Sequence, residues 1–333
     1  MKYRNLGNTG LKVSELCLGT MTFGNQTEEP EAHAIISAAA DAGVNFIDTA
    51  NVYPIGSPLL GRTEEIVGNW LKGRRSEHVL ATKCTGVAGP GPNDHGSSRR
   101  HIMEAVEGSL RRLQTDYIDV YQMHQPDPTT PLEETARAMS DLVDQGKVRY
   151  IGVSNYPGWK IALMLGMAKQ NGWHAIVSDQ PRYNLLYREI ESEIVPLCLD
   201  QGVGIMAYNP LAGGFLSGRY VKGQDWQEGT RFGLAGGAGE NYRRRYWQDA
   251  QFDVVADLQE YFSARGRNLA QVAVNWVANR PGITSAIVGA SRAEQIKETL
   301  PAVDIELTDE ELAFINEAWY RIPRPSDPAV ANR

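Results

Sequence analysis

The sequence has few cysteines and lacks any long hydrophobic run. Among its 333 residues the cysteines are Cys17, Cys84 and Cys198, and their odd number and wide spacing exclude a disulfide framework and a CxxC zinc site. No run of about 18 apolar residues is present to cross a membrane, and the N-terminal residues include no hydrophobic signal-peptide segment. These absences predict a cytoplasmic protein that contacts no membrane.

Positively charged residues are also fewer than negatively charged ones. The chain has 33 lysines and arginines against 40 aspartates and glutamates, a formal net charge of −7. A nucleic-acid partner is therefore not expected, and any anionic ligand must be held by a few local cations. With 42% hydrophobic and 22% charged residues, the composition is typical of a folded globular protein, and it indicates no particular oligomeric state.

What is present is a regular alternation of strand-like and helix-like segments. Eight short, apolar, β-rich segments span residues 15–18, 44–48, 79–82, 117–123, 148–153, 176–179, 203–208 and 285–288. Segments of helical periodicity lie between them. Eight successive strand–helix units predict an α/β fold, a (β/α)₈ TIM barrel forming one domain over residues 1–333. A doubly wound sheet is the alternative, but no GxGxxG motif follows the first strand.

The remaining length forms additions to the barrel. Residues 1–14 predict an N-terminal β-hairpin, and residues 85–97 and 209–250 form long glycine-rich βα loops. We expect these two loops, with residues 54–61, to build the substrate pocket. Four large side chains either line that pocket or pack the loops: Met21, Phe23, Trp226 and Trp247.

Four polar side chains stand at or just after predicted strand ends. Asp48 ends the second strand, and Tyr53 lies in the loop beyond it. Lys83 follows the third strand and His124 follows the fourth. Because the active-site face of such a barrel is built at the carboxyl ends of its strands, we expect these four residues to converge.

Together, these four residue types suit the reduction of a carbonyl group. A free tyrosine has a pKa of about 10, too high for ready proton exchange at neutral pH. A nearby ammonium lowers that pKa, so we interpret Tyr53 as the proton donor, Lys83 as its partner and Asp48 as the anchor of Lys83. His124 would donate a hydrogen bond to the substrate oxygen. No side chain supplies a hydride, so the reaction requires a nicotinamide cofactor.

Residues at the later strand ends are candidates to hold that cofactor. Ser154 and Asn155 end the fifth strand and Gln180 ends the sixth, which offers donors and acceptors suited to a carboxamide. Tyr208 ends the seventh strand and could stack on a flat ring.

The eighth strand runs into a turn that suits a phosphate. Gly289 lets the backbone approach a phosphate closely, and Arg292, two residues after Ala290, is able to pair with it. A helix follows, which contains Gln295 and Glu298, and a helix N-terminus favours anions.

Lys83 also permits a different chemistry. A lysine at a barrel strand end could act as the Schiff-base nucleophile of a lyase, with Tyr53 and Asp48 beside it. A lyase would need no nicotinamide, which distinguishes it from a reductase.

The sequence resembles the aldo-keto reductase superfamily over essentially its whole length. The motifs that carry the resemblance are FIDTANVY, ATK, YQMHQPD, KVRYIGVSN, DQPRYNLL and YNPLAGGFLSGRY. Their layout is similar to that of bacterial members related to voltage-gated potassium channel β subunits. The resemblance implies NADPH-dependent reduction of aldehydes or ketones, with Asp48, Tyr53, Lys83 and His124 as the catalytic tetrad.

The resemblance also implies a set of cofactor positions. They are Thr20, Met21, Ser154, Asn155, Gln180, Tyr208, Pro210, Leu211, Gly289, Ser291, Arg292, Gln295 and Glu298, with Arg219 and Arg231 placed to close over the pyrophosphate. Arg292 stands where the family meets a 2′-phosphate, which favours NADPH over NADH. Asn209 and Thr299 depart from the commoner Ser and Asn of the family.

The same resemblance leaves a second function open. Like the channel β subunits, the chain could be a regulatory subunit that senses nicotinamide nucleotides and keeps only vestigial reductase activity. The complete set of Asp48, Tyr53, Lys83 and His124 argues against that alternative.

Overall fold

Eight parallel strands close into a barrel after a short antiparallel hairpin in the computed structural model, which describes residues 1–55, 57–235 and 237–323. The hairpin strands are β1 (Tyr3–Asn5) and β2 (Lys12–Ser14), and the barrel strands are β3 (Leu16–Gly19), β4 (Phe46–Asp48), β5 (Val79–Cys84), β6 (Ile118–Met123), β7 (Val148–Ser154), β8 (Ile176–Gln180), β9 (Gly204–Tyr208) and β10 (Ile283–Val288). β10 pairs with both β3 and β9, which closes the ring. The predicted (β/α)₈ barrel with its hairpin is confirmed. Residues 56, 236 and 324–333, which belong to the predicted domain and two of its pocket loops, lie outside the described residues.

Helices surround the barrel. They are α1 (Glu29–Asp41), α2 (Arg62–Leu71), α3 (Arg99–Leu113), α4 (Leu132–Asp144), α5 (Gly158–Asn171), α6 (Ile194–Gln201), α7 (Ala238–Tyr246), α8 (Asp249–Ser263), α9 (Leu269–Ala278), α10 (Ala293–Thr299) and α11 (Asp309–Tyr320). The first six each follow one barrel strand, whereas α7 and α8 lie in the long segment after β9. Within the described part of the chain, no helix has both the length and the apolar character needed to span a membrane.

The residues of β5 illustrate how a buried parallel strand packs on both of its faces. All six of its residues are buried, as expected for a parallel strand covered on both faces. Val79 and Ala81 pack inside the barrel, whereas Leu80 and Cys84 pack between the barrel and the helices. Because side chains alternate along a strand, Lys83 faces the barrel interior.

The N-terminal hairpin closes the amino end of the barrel. Leu6 and Val13 have no exposed surface and pack into the interior cluster. The turn between them needs Gly7, because a Cβ there would lie 2.6 Å from the carbonyl oxygens of Val177 and Gly202, at a backbone φ of +56°. With this end plugged, the opening of the barrel is at its carboxyl end.

Candidate active site

The four predicted catalytic residues meet at the carboxyl end of the barrel. Asp48 ends β4, Lys83 lies in β5 and His124 directly follows β6, while Tyr53 comes from the loop after β4. Lys83 has no exposed surface, and Asp48 and Tyr53 are 3% and 7% exposed. The predicted convergence is therefore present in the geometry, with three of the four side chains buried.

Asp48 and Lys83 form a buried ion pair. Lys83 Nζ lies 2.5 Å from Asp48 Oδ2 and also donates to the carbonyl oxygen of Thr49, at 2.7 Å. Burial alone would lower the pKa of Lys83, but Asp48 and the phenol of Tyr53 outweigh it and hold that pKa above its usual value. Lys83 therefore remains an ammonium at neutral pH.

Tyr53 lies between the ammonium and the imidazole. Lys83 Nζ is 5.1 Å from the centroid of the Tyr53 ring. The ring of His124 approaches Tyr53 edge-on, with centroids 5.7 Å apart and planes at 76°. An oxygen atom in the cavity in front of Tyr53 thus faces a phenol and an imidazole together.

The predicted lowering of the Tyr53 pKa is wrong in its net direction. Burial raises this pKa above its usual value, and the charge of Lys83 offsets only part of that effect. Burial, with the charge of Lys83, also lowers the pKa of His124 to about 3. At neutral pH the site therefore holds a protonated phenol, a neutral imidazole and a paired ammonium.

Two glutamine side chains complete the surroundings of Asp48. Gln180 Nε2 donates to Asp48 Oδ1 at 2.8 Å, and Gln122 Nε2 donates to the same oxygen at 3.3 Å. Sequence reasoning assigned Gln180 only to a carboxamide and missed Gln122, which is fully buried. Its signal was a polar residue in an apolar strand, in register with Lys83 on β5.

A cavity of about 860 Å³ opens above these residues. Asp48, Tyr53 and His124 line it, while Lys83 is buried behind them. All fifteen residues predicted to contact a cofactor also line it: Thr20, Met21, Ser154, Asn155, Gln180, Tyr208, Pro210, Leu211, Arg219, Arg231, Gly289, Ser291, Arg292, Gln295 and Glu298.

Hydrogen bonds fix the wall formed by the ends of β7 and β9. The Tyr208 hydroxyl donates to Asn155 Oδ1 at 2.8 Å, and Asn155 Nδ2 donates to the carbonyl oxygen of His124 at 2.9 Å. Ser154 Oγ donates to the carbonyl oxygen of Gln180 at 2.8 Å. The candidate ring-binding residues are thus tied directly to the residues around Tyr53.

The turn after β10 forms the opposite end of the cavity. A Cβ at Gly289 would lie 3.1 Å from the carbonyl oxygen of Gly19, so this backbone passes close to its neighbour. Gln295 Oε1 accepts from the backbone N–H of Ser291 at 2.9 Å and from its hydroxyl at 3.0 Å. Arg292 is exposed beside this turn and forms no ion pair with any residue the structure describes.

The helix α7 contributes cavity residues that sequence reasoning missed. Ala238, Asn241, Tyr242 and Arg245 all line the cavity. Their spacing of three, four and seven residues places them on one face of the helix, which is the signal that could have found them. They lie within residues 209–250, which the sequence analysis expected to help build the pocket without naming these four side chains.

The prediction that residues 85–97 help to build the pocket is wrong, since none of them lines the cavity. This loop folds back on itself instead. Asp94 Oδ2 accepts from the Gly91 N–H at 2.7 Å, and Asp127 Oδ2 accepts from the Ser97 N–H at 2.8 Å. These carboxylates hold the loop against the segment after β6.

Of the four large side chains considered for the pocket, Met21 lines it. Phe23 is fully buried and Trp247 packs against the core. Trp226 is 41% exposed and lies under the guanidinium of Arg243, whose Cζ is 4.1 Å from the ring centroid. Among the described residues, no group of three or more His, Cys, Asp or Glu side chains is placed to hold a metal ion.

Comparisons with known proteins agree with this architecture. The family model described as "Aldo/keto reductase family" matches residues 15–320. A "Probable voltage-gated potassium channel subunit beta" of Oryza sativa subsp. japonica is 42% identical over 313 residues, covering 92% of each chain. The "Uncharacterized oxidoreductase YrpG" of Bacillus subtilis (strain 168) is 41% identical over 326 residues, 96% of each chain. The "Versiconal hemiacetal acetate reductase" of Aspergillus parasiticus is 35% identical over 354 residues, covering 98% of this chain and 99% of that one. The predicted resemblance is confirmed.

Proposed function

The chain belongs to the aldo/keto reductase family, and on that premise we propose that it is an NADPH-dependent oxidoreductase that reduces aldehydes or ketones to alcohols. The observation that carries this proposal is the buried Tyr53 phenol between the Lys83 ammonium and the His124 ring, at the floor of a large cavity. Oxidoreductase and reductase names among the relatives support the same reaction class.

Each residue has a defined part in this proposal. The Tyr53 hydroxyl and an imidazole N–H of His124 bind the carbonyl oxygen of the substrate. The nicotinamide, when bound, supplies the hydride for the carbonyl carbon. Tyr53 gives its proton to the oxygen, and the ammonium of Lys83 stabilises the phenolate that remains. Asp48 holds Lys83 in place through the 2.5 Å ion pair.

The cavity fits a dinucleotide in size and chemistry. Its volume of about 860 Å³ lies within the usual range for ligand pockets, roughly 300–1,000 Å³. Arg219, Arg231 and Arg292 provide cations for phosphates. Tyr208 offers a ring face near Asn155 and Ser154. The exposed position of Arg292, without an ion pair in the described residues, supports a 2′-phosphate partner and therefore NADPH.

The lyase alternative is disfavoured by the state of Lys83. A Schiff-base nucleophile must be unprotonated and within reach of the substrate. Lys83 has no exposed surface, is paired with Asp48, and has a raised pKa. A regulatory nucleotide sensor remains the second candidate, because relatives at 41–42% identity carry the name of a probable channel β subunit.

Replacement of Tyr53 by phenylalanine tests the reductase proposal. We expect Tyr53→Phe to lower kcat/KM for activated aldehydes by about 10²- to 10⁴-fold, the usual contribution of a general acid, while packing and NADPH binding stay intact. NADPH absorbance measures turnover, and fluorescence titration measures cofactor binding as the control. Equal cofactor oxidation by both proteins would contradict the proposal. Tight NADPH binding with exchange too slow for turnover would favour the sensor.

Replacement of Arg292 tests the cofactor. We expect Arg292→Ala to raise the KM for NADPH roughly tenfold and to leave the KM for NADH unchanged, because only NADPH loses a charge-assisted hydrogen bond. Steady-state kinetics with both cofactors on one aldehyde measure the ratio. An unchanged ratio would remove Arg292 from this role.

A further inference from the structure

Two half-buried arginine side chains that line the cavity each contain a nitrogen without a hydrogen-bond partner. Arg245 Nε and Arg231 Nη1 are inaccessible to water and have no hydrogen-bond partner. Neither guanidinium forms an ion pair with any residue in the described ranges. Buried donors are nearly always paired, and burial of an unpaired charge is costly. Two such groups beside one cavity indicate anions that the protein itself does not supply.

The unpaired arginines belong to one wall, formed by Arg231, Tyr242 and Arg245, which we call the arginine wall. A Cβ at Gly213 would lie 2.7 Å from Tyr242 Cδ1 and 3.6 Å from Arg231 Cβ, so Tyr242 and Arg231 flank the same glycine. All three residues line the same cavity as Tyr53, and Arg231 and Tyr242 are close enough to influence the pKa of that phenol.

The neighbours of Arg245 do not neutralise it. Tyr208 and Tyr246 are close enough for its charge to lower their pKa values, yet burial raises both above the usual value, so both phenols stay neutral. Apart from Asp48, which is paired with Lys83, the carboxylates that line the cavity are Glu228 and Glu298. Both are exposed.

Aromatic packing fixes the arginine wall in place. Phe232, next to Arg231, lies with its ring centroid 4.8 Å from that of Trp247, two residues after Arg245. The Tyr246 hydroxyl accepts hydrogen bonds from Asn184 and Asn209, both at 3.0 Å. The segments that carry Arg231 and Arg245 are therefore packed in place before any ligand binds, which lowers the entropic cost of binding.

We propose that Arg245 is a substrate-binding residue that selects carbonyl compounds bearing a carboxylate. This inference rests on the proposed reductase function and names its substrate class. Arg219, Arg231 and Arg292 suffice for the phosphates of a dinucleotide, which leaves Arg245 as a fourth cavity cation beside Tyr208 and Tyr242. A guanidinium binds a planar carboxylate through two parallel hydrogen bonds, a geometry that a neutral amide does not reproduce.

The first test compares two aldehydes of nearly the same shape, 4-formylbenzoate and 4-formylbenzamide, with NADPH. We expect the wild-type protein to favour the carboxylate at least tenfold in kcat/KM. Arg245→Gln should remove that preference by raising the KM for the carboxylate, with the amide changed less than twofold, and Arg245→Lys should restore part of it. Arg244→Gln, an exposed neighbour on the same helix, is the matched control and should keep the preference.

Three outcomes would overturn the assignment. Equal turnover of both aldehydes by the wild-type protein would show that no anion is selected. An unchanged preference in Arg245→Gln would place the selection elsewhere. A weaker Kd for NADPH in Arg245→Gln, with both aldehydes affected alike, would assign Arg245 to a cofactor phosphate.

A second measurement needs neither turnover nor a variant. Calorimetric titration of the NADPH-loaded wild-type protein should detect benzoate but not benzamide, with benzoate binding weakened between 20 mM and 500 mM salt because charges are screened. Absence of benzoate binding at low salt would overturn the inference. If neither aldehyde is reduced while benzoate still binds, the proposed function fails and the anion site stands.

Discussion

Two buried aspartates, Asp48 and Asp179, lie near the carboxyl ends of β4 and β8, on opposite sides of the barrel, and their surroundings differ sharply. Asp48, inside the barrel, accepts hydrogen bonds from Lys83, Gln122 and Gln180. Asp179 has no exposed surface, and in the part of the chain the structure describes its oxygens accept no regular hydrogen bond, the backbone N–H of Gln180 being a weak partner. By strand alternation it faces the helices, on the opposite side of β8 from Gln180.

The strand β8 has a role in both the site and the packing, since Gln180 faces Asp48 and Asp179 faces the helices. Burial raises the pKa of Asp179 well above its usual value, with only a partial offset from the backbone N–H of Gln180. Asp179 therefore holds its proton more tightly than a free aspartate does, whereas Asp48 has a cation beside it. A buried carboxylate keeps its charge where the fold supplies partners, and only such a charge is able to hold Lys83.

The largest effect on stability should come from breaking the ion pair between Asp48 and Lys83. Asp48→Asn leaves the ammonium of Lys83 buried without its carboxylate, so we expect a loss of about 3–5 kcal/mol in the free energy of unfolding. Urea denaturation measures this loss. The double variant Asp48→Asn with Lys83→Met should recover most of it, because both charges are then absent. Equal stability of the single and double variants would mean that the pair is not an ionic unit.

A smaller effect of opposite sign, a gain in stability, is expected from replacing Asp179. The folded protein binds the Asp179 proton more tightly than the unfolded chain does, so this residue lowers stability as the pH rises above about 4. Asp179→Leu should therefore gain stability relative to wild type, roughly 1–3 kcal/mol at pH 8 and less at pH 5. Asp179→Asn should remove the pH-dependent part alone.

Denaturation at both pH values measures this gain. The exposed Asp200, on α6, provides the control, since Asp200→Asn should show no such pH-dependent gain. If Asp179→Leu were less stable than wild type at every pH, the carboxyl would have a partner that outweighs its burial.

The smallest effects should separate the two glutamines around Asp48. Gln180→Leu removes a hydrogen bond of 2.8 Å, whereas Gln122→Leu removes a longer one of 3.3 Å. We expect each change to cost about 0.5–1.5 kcal/mol, with Gln180→Leu the larger. Thermal unfolding of both variants measures the order, and the reverse order would show that bond length does not rank these contacts.

The barrel could be predicted from the sequence because each strand corresponds to a short run of mostly apolar residues. The apolar segment at 79–82 predicts β5, which extends to Cys84 in the structure. The same argument missed Gln122, because a single inward polar residue looks like an imperfection in an apolar strand until its partner, Asp48, is known.

The candidate site was predicted most completely where it depends on strand ends and only in part where it depends on the segments between them. Asp48, Lys83 and His124 lie at or next to barrel strands, so their approach follows from the fold. Arg245 reaches the cavity from α7, and the loop at 85–97 turns away because of Asp94 and Asp127. The hydrogen bond between Ser97 and Asp127 joins residues 30 positions apart in sequence, and no local rule encodes it.

The order of residues alone determined the number of strand–helix units and the identity of the groups that could exchange protons. The tertiary structure decided the protonation states of these groups. Tyr53 keeps its proton because desolvation outweighs the charge of Lys83, and His124 is neutral because desolvation and that charge both disfavour the imidazolium. Desolvation depends on everything that excludes water around a group, and that surrounding exists only once distant segments have packed together.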